Sequence, residues 1–147
     1  MKIKVKKVLG TYPSEDIKLP LITDGNACFD FYAPTSFLIC GGAKGQKIPT
    51  GLAFEIPAGY HMKLFMRSSY GAKSKLRLSN CVGIIDASYR GEVQGLFDNV
   101  GYDLEGIQKG DRFMQGLIEK NVDIEFEEVD ELTETKRGTG GFGSTGK

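Results

Sequence analysis

The sequence has little of several residues on which common kinds of functional site depend. Among its 147 residues it contains no tryptophan, one histidine and three cysteines. The single histidine, His61, excludes a site made of two or more histidines, and its place in the alternating run YHMKLF predicts a strand residue on the more polar face. Cys28, Cys40 and Cys81 form no CxxC pair, so the sequence holds no zinc motif of that kind, and we expect reduced, mostly buried thiols.

Net charge and long apolar runs are also missing. The 19 basic and 19 acidic residues give a formal net charge of zero, which removes any general attraction to nucleic acid and requires an anion site to be local. No apolar stretch approaches the roughly 18 residues of a membrane span, and the basic start lacks the apolar part of a signal peptide. We therefore expect a cytoplasmic protein that binds neither nucleic acid nor membrane, with the acidic run at 123–134 as a solvated surface.

Glycine and proline turns divide the chain into short pieces, several of which are apolar runs. They lie at 2–8, 47–66 (with a turn at 57–59), 81–85, 91–97, 111–120 and 123–129. This spacing predicts an all-β sandwich or barrel, in which residues 69–76 are the one short stretch that could be helical. The apolar runs on both sides of IDASYRG also predict a hairpin over residues 79–93.

The last eleven residues, RGTGGFGSTGK, have the composition of a loop that closes over a nucleotide. Glycine lets backbone N–H groups approach phosphate, hydroxyls and cations add donors, and Phe142 could lie over a base. The alternative is a disordered tail, which is the common outcome for a terminus rich in glycine, serine and threonine. Composition alone leaves both interpretations open.

Two clusters in the first half of the chain carry polar groups suited to binding. Asp30 lies between two phenylalanines in ACFDF, where a carboxylate either needs a partner or points to solvent. Arg67, Ser68 and Ser69 offer a forked cation and two hydroxyls suited to phosphate, although an ordinary helix cap beside a surface arginine would look the same.

Two further clusters lie later in the chain. Asp86 follows an apolar run and falls in the predicted turn, where aspartate is common, but it could also serve as a general base. Gln115 follows the turn signal at Gly110 and Asp111, and nothing local decides which face of its strand it occupies.

In their order along the chain, the segments ACFDF, MRSS, GIIDASYRGE, GDRFMQ and RGTGGFGSTG resemble the five motifs of the homotrimeric dUTPase family. The resemblance spans about residues 27–146 and is most specific in the third and fifth motifs. The family more often has glycine, leucine and proline at the positions of Cys28, Phe31 and Met66, which alters packing more than chemistry. The resemblance implies a distorted β jelly roll over residues 1–136, a flexible glycine-rich arm over 137–147, and homotrimers with three active sites shared between subunits.

The resemblance also implies a reaction, the hydrolysis of dUTP to dUMP and pyrophosphate, which limits uracil in DNA and supplies dUMP for thymidylate synthesis. Asp86 would activate a water for in-line attack on the α-phosphorus. Magnesium would be held mainly by the phosphates and by waters, with Asp30 contacting it through water. The implied substrate-binding residues are Arg67, Ser68, Ser69 and Gln115 for phosphate, Tyr89 for deoxyribose, Asn80, Gly83 and Ile84 for uracil, and Arg137, Phe142, Gly143, Ser144 and Thr145 from the arm.

Two other functions stay open at this point. A dCTP deaminase would share the fold of this family and release ammonia instead of pyrophosphate. A regulator that binds a protein partner in a nucleotide-dependent way is the second, because residues 34–47 match none of the five motifs and could form either a partner surface or an ordinary loop. For a viral or phage member of the family, the expected location is the host cytoplasm.

Overall fold

A computed structural model of the chain describes residues 1–141. Within that range it has ten β-strands and one short α-helix. They are β1 (Lys4–Lys7), β2 (Phe29–Tyr32), β3 (Phe37–Ile39), β4 (Gln46–Glu55), β5 (Tyr60–Met66), α1 (Ser68–Lys73), β6 (Leu76–Leu78), β7 (Gly83–Ile85), β8 (Glu92–Asn99), β9 (Glu105–Ile107) and β10 (Arg112–Lys120).

Two four-stranded antiparallel sheets form a sandwich. One sheet has the order β1-β4-β8-β6, the other has the order β2-β10-β5-β7, and β3 pairs with β9 in a separate two-stranded sheet. Burial alternates along β8, so that Val93 and Phe97 face the core while their neighbours are only half-buried. The prediction of an all-β sandwich with one short helix is therefore confirmed.

Aromatic side chains join the two sheets across the core. Phe97 on β8 contacts Phe113 on β10 with ring centroids 5.8 Å apart, and Phe31 on β2 contacts Phe54 on β4 at the same centroid distance. Each pair combines one ring from each sheet, so these contacts hold the sandwich faces together as well as burying apolar area. Thr50 and Asn99 are the buried polar residues among the described core positions, and both are hydrogen-bonded.

The predicted hairpin over residues 79–93 does not form. Strand β7 pairs with β5 in one sheet, whereas β8 pairs with β4 and β6 in the other. The segment IDASYRG is thus a crossing between the two sheets, and the apolar runs on its two sides cover opposite faces of the core. The local sequence has the turn residues of a hairpin, but the pairing partners of the flanking strands lie elsewhere in the chain.

Three smaller predictions also need correction. The helix covers residues 68–73 and not 69–76, because the Ser74 hydroxyl donates to the Tyr70 carbonyl at the helix end and the chain then enters β6. The thiols are not mostly buried, since Cys40 and Cys81 are exposed and Cys28 is half-buried. The alternating run at 123–129 forms no strand among the described residues, and its side chains are exposed as expected for the acidic segment.

Candidate functional site

A cluster of opposite charges joins the ends of three adjacent strands. Asp30 lies on β2, Arg67 directly after β5 and Arg112 at the start of β10. Arg67 Nε donates to Asp30 Oδ1 at 2.9 Å, and Arg112 Nη1 donates to Asp30 Oδ2 at 3.1 Å. The Asp30 side chain is 19% exposed, so it is largely removed from water and its charge is balanced by two guanidinium groups. The interpretation that Asp30 simply points to solvent is wrong.

Strand pairing also brings Gln115 to this cluster. Strand β10 lies between β2 and β5, with Gln115 opposite Asp30 on one side and opposite Phe65 on the other. Residues directly opposite each other in an antiparallel pair have their side chains on the same face. The Gln115 side chain therefore lies on the face that carries Asp30, a choice that the local sequence left open.

The helix after Arg67 adds two hydroxyls. Arg67 takes the N-cap position with extended backbone, but its side chain makes no capping bond. Its guanidinium instead bonds to Asp30 and, through Nη1, to the Arg112 carbonyl at 3.2 Å. Ser68 and Ser69 follow it and are exposed. The interpretation of MRSSYG as a helix cap beside a surface arginine is therefore wrong for Arg67, which is half-buried and fixed on two sides.

The cluster has the charge and donors of an anion site. Two guanidinium groups and one carboxylate leave one net positive charge, by subtraction of one from two. The Arg112 side chain is 48% exposed, so it keeps donors available beside the exposed serine hydroxyls. Sequence reasoning gave Arg112 no role, although GDRFMQ contains it, because its carboxylate partner lies 82 residues away in the chain.

The crossing between β7 and β8 fixes Asp86 and Tyr89. Asp86 is exposed and its carbonyl accepts the Tyr89 N–H at 3.1 Å, which closes a tight turn. The Tyr89 hydroxyl donates to the Glu92 carbonyl at 3.0 Å. A Cβ atom on Gly91 would lie 2.4 Å from the Tyr89 hydroxyl oxygen, so glycine is needed there for the ring to lie against the backbone. Tyr89 thus presents a fixed and half-exposed ring beside Asp86.

The segment before this crossing places the residues expected to contact uracil. Gly83 is buried opposite Leu64, and Ile84 is 53% exposed opposite Lys63. Asn80 is exposed, and Cys81 next to it adopts a left-handed backbone with φ of 59°. That conformation is uncommon for a residue with a Cβ atom. The left-handed turn at Cys81 therefore sets the backbone direction between Asn80 and β7.

The two groups of residues lie at opposite ends of β5 within one chain. Ile85 pairs with Met62, so Asp86 comes after the end of β5 that begins at Tyr60, whereas Arg67 follows the other end. From the level of His61 to Arg67 is six residues, or roughly 20 Å of antiparallel strand. Within one chain, Asp86 is therefore separated along β5 from the cluster of Asp30, Arg67, Arg112 and Gln115, here called the anion cluster.

The residues of the anion cluster fit a metal ion that arrives bound to the phosphates of a ligand. They do not form a set of protein side chains that would coordinate a metal directly. No group of three or more His, Cys, Asp or Glu side chains with metal-binding geometry occurs within residues 1–141. Each Asp30 oxygen accepts one N–H bond from an arginine and keeps a second lone pair that a metal-bound water can use. This donor set suits Mg²⁺, which usually keeps several waters in protein sites.

The arm is described only in part. Arg137 is exposed, and its Nε donates to the Gly140 carbonyl at 2.9 Å within the same turn. The predicted residues Phe142, Gly143, Ser144 and Thr145 lie outside the described residues. Of the arm residues expected to contact substrate, the structure therefore describes Arg137 alone.

Comparison with known proteins identifies relatives over nearly the whole chain. The sequence profile of the dUTPase family matches residues 16–146. The deoxyuridine 5'-triphosphate nucleotidohydrolase of Nautilia profundicola is 38% identical over 100% of both chains. That of Rickettsia bellii is 40% identical over 99% of this chain and 95% of its own. That of Bdellovibrio bacteriovorus is 47% identical over 68% of this chain and 67% of its own.

Solved structures agree with the fold. A mutant dUTPase of Staphylococcus bacteriophage 80alpha, solved with dUpNHpp, matches with a TM-score of 0.87 and 23% identity over 99% of both chains. A mutant dUTPase from phage phi11 of S. aureus, described with a structural Mg(II) ion, matches with a TM-score of 0.78 and 22% identity over 89% of this chain and 98% of that one. At these identities the likeness concerns the fold, and it confirms the predicted jelly roll.

We predict that Arg67→Lys weakens the binding of inorganic pyrophosphate about tenfold, because an ammonium group cannot replace a planar fork that bonds to Asp30 and to a carbonyl at once. Calorimetric titration without added metal measures this affinity. Arg77→Lys is the matched control, since the Arg77 guanidinium donates to the nearby carbonyls of Ser74 and Leu76. Equal affinity of both variants would show that the Arg67 fork does not contribute to an anion site.

Proposed function

The chain belongs to the dUTPase family, and we propose that it hydrolyses dUTP to dUMP and pyrophosphate. The observation that carries this proposal is the cluster of Asp30, Arg67, Arg112 and Gln115, which gives a local positive site in a chain without net charge. A triphosphate is a ligand of the right charge for it. In a cell the reaction would limit uracil in DNA and supply dUMP for thymidylate synthesis.

Asp86 is the proposed general base. Its exposed carboxylate would take a proton from a water, whose oxygen forms a bond to the α-phosphorus while the bond to the pyrophosphate oxygen breaks on the opposite side. The tight turn that Asp86 shares with Tyr89 supports this role, because a base must be held in a fixed position. The electron pair of the broken bond leaves with pyrophosphate.

The phosphate chain is the proposed ligand of the anion cluster. Arg67 and Gln115 would contact it from adjacent strands, and the hydroxyls of Ser68 and Ser69 would add donors from the start of α1. Their proximity to one another supports this assignment. We further propose that the arm contributes Arg137, Gly143, Ser144 and Thr145 to the same phosphates, with Phe142 stacked on uracil.

The nucleoside is proposed to bind at the crossing between the sheets. The Tyr89 ring would lie under the deoxyribose and leave no room for a ribose 2′-hydroxyl. This role is supported by the fixed position of the ring, which packs against Gly91 and bonds to the Glu92 carbonyl. Asn80 and the backbone at Gly83 and Ile84 would bond to the uracil edge. A pocket of fixed donors and acceptors rejects cytosine because it would leave polar groups unpaired.

Magnesium is the proposed cofactor, and Asp30 would contact it through water. Bound with the nucleotide, the ion would supply positive charge that neutralises the phosphate oxygens and favours attack at phosphorus. The side chains of the protein supply the other interactions in this proposal. Arg67 and Arg112 balance the charge of Asp30, and Gln115 would orient the phosphate chain beside them.

A homotrimer with shared active sites is proposed for the assembly. The distance along β5 supports it, because the base of one chain and the anion cluster of the same chain lie roughly 20 Å apart. A second copy would bring its cluster to the first copy's crossing. Exposed apolar side chains in the acidic segment, such as Ile124 (71% exposed) and Phe126 (91% exposed), also support burial against another subunit.

A regulatory protein partner at residues 34–47 stays a prediction. This segment contains β3 and the start of β4, and Leu38 on β3 is exposed. A cytoplasmic location stays a prediction too. Among residues 1–141, no helix is long and apolar enough to cross a membrane.

We expect the protein with Mg²⁺ to release pyrophosphate from dUTP and from none of dCTP, dTTP or UTP, because the proposed pocket reads both uracil and deoxyribose. Pyrophosphate and ammonia are measured in parallel for the four nucleotides. Ammonia from dCTP would assign the protein to the deaminases of this fold. Absence of turnover for all four nucleotides would refute the proposed reaction.

We expect Asp86→Asn to lower kcat by about 10²–10⁴-fold, because an amide cannot accept the water proton. Binding of a nonhydrolysable dUTP analogue should stay unchanged, since the amide preserves the size of the side chain. Asp24→Asn, an exposed aspartate in another turn, is the control and should leave kcat unaltered. Near-full activity of Asp86→Asn would exclude this residue as the base.

The shared site predicts that two inactive variants restore each other. Asp86→Asn and Arg67→Ala, unfolded together and refolded as a one-to-one mixture, should regain about a quarter of wild-type activity, because random assembly joins an intact base with an intact anion cluster in that share of sites. Each variant refolded alone is the control. A mixture no more active than its components, with trimers present, would mean that each chain completes its own site.

A further inference from the structure

Helix α1 needs contacts with the sandwich to hold its position. It has six residues, none of them buried, and no side-chain cap at its start. A helix this short is not stable by its own backbone bonds. The positions of the Ser68 and Ser69 hydroxyls therefore depend on the few side chains that attach α1 to the sheet.

Two side chains make this attachment among the described contacts. Arg67 precedes the helix and bonds to Asp30 and to the Arg112 carbonyl. Tyr70, inside the helix, donates its hydroxyl to Asp111 Oδ2 at 2.7 Å, and its half-buried ring packs against the core cluster. Burial and this hydrogen bond raise the pKa of Tyr70 above its ordinary value, so the hydroxyl stays a donor.

Asp111 is a rigid acceptor. Its Oδ2 also accepts the Gln108 N–H at 2.9 Å, its own N–H bonds to the Gln108 carbonyl at 2.9 Å, and its carbonyl accepts the Ala33 N–H at 2.9 Å. Gly110 before it has a φ of 84°, which only glycine adopts without strain. The carboxylate is thus fixed to the turn between β9 and β10, one residue before Arg112.

We propose that the Tyr70–Asp111 hydrogen bond sets the position of α1 relative to β10, and that Tyr70 is a positioning residue for phosphate binding. It touches no proposed substrate atom; it fixes the distance between the serine hydroxyls on α1 and the side chains of Arg112 and Gln115 on β10. The inference rests on the proposed function for the identity of the anion, but the Tyr70–Asp111 hydrogen bond depends only on the geometry of this chain.

Tyr70→Phe tests the role of the Tyr70–Asp111 hydrogen bond because it removes the hydroxyl and keeps the ring. We expect about tenfold weaker binding of inorganic tripolyphosphate and of a nonhydrolysable dUTP analogue, since the lost bond has a charged acceptor. Binding of deoxyuridine, which lacks phosphate, should not change. Tyr102→Phe is the matched control, because Tyr102 is fully exposed and should bind all three ligands like the wild type.

A second pair of variants separates positioning from stability. Asp111→Asn keeps an oxygen acceptor and should bind tripolyphosphate better than Asp111→Ala. The double variant of Tyr70→Phe and Asp111→Ala should be no weaker than Asp111→Ala alone, because both changes break the same bond. Circular dichroism and sedimentation of each variant check that the fold and the assembly persist.

The outcomes are distinct. Equal losses for deoxyuridine and tripolyphosphate would show a general structural role and overturn the inference, and so would wild-type binding by Tyr70→Phe. A selective loss for tripolyphosphate supports it. Turnover of dUTP by the wild type is a separate result: its absence would remove the proposed function while the tripolyphosphate titrations still decide whether Tyr70 positions the anion site.

Discussion

The pairing of β10 with β2 on one side and with β5 on the other is the constraint on which the rest of the structure depends. This register places Gln115 opposite Asp30 and brings Arg112 to the same end of the sheet as Arg67. Phe113 and Met114 on the same strand are fully buried, so apolar packing fixes β10 against the other sheet. The anion cluster is thus held by a strand that cannot shift without opening the core.

The carboxylate of Asp30 makes this cluster possible at all. Arg67 and Arg112 would repel each other at such short range without an anion between them. In the structure Asp30 takes one bond from each and remains only slightly exposed. The cluster therefore keeps a moderate positive charge in the absence of ligand. A carboxylate fixed in this way is also suited to accept a hydrogen bond from a metal-bound water.

The separation of Asp86 from the anion cluster along β5 has a simple origin. The chain passes from one sheet to the other at 86–91. Two hydrogen bonds hold this crossing in place: the Tyr89 hydroxyl donates to the Glu92 carbonyl, and the Gly51 N–H donates to Glu92 Oε1. The crossing follows the end of β7 that lies beside the start of β5, whereas the anion cluster lies where β5 ends and β10 begins, at the opposite end of the same sheet. Within one chain the two groups of residues therefore lie apart.

The sequence by itself determined the all-β class, the turn at 57–59, the order of the motifs and the residue types of the candidate site, because alternation and turn chemistry are local properties. It also determined the family, since motif order is a linear property. Only the tertiary structure decided that 79–93 crosses between sheets, that Gln115 faces Asp30, and that Asp30 bonds to Arg112. Alternation indicates which side chains of a strand share a face, but it did not decide the face of Gln115 or which strands lie beside β10; those choices come from packing between residues far apart in the chain.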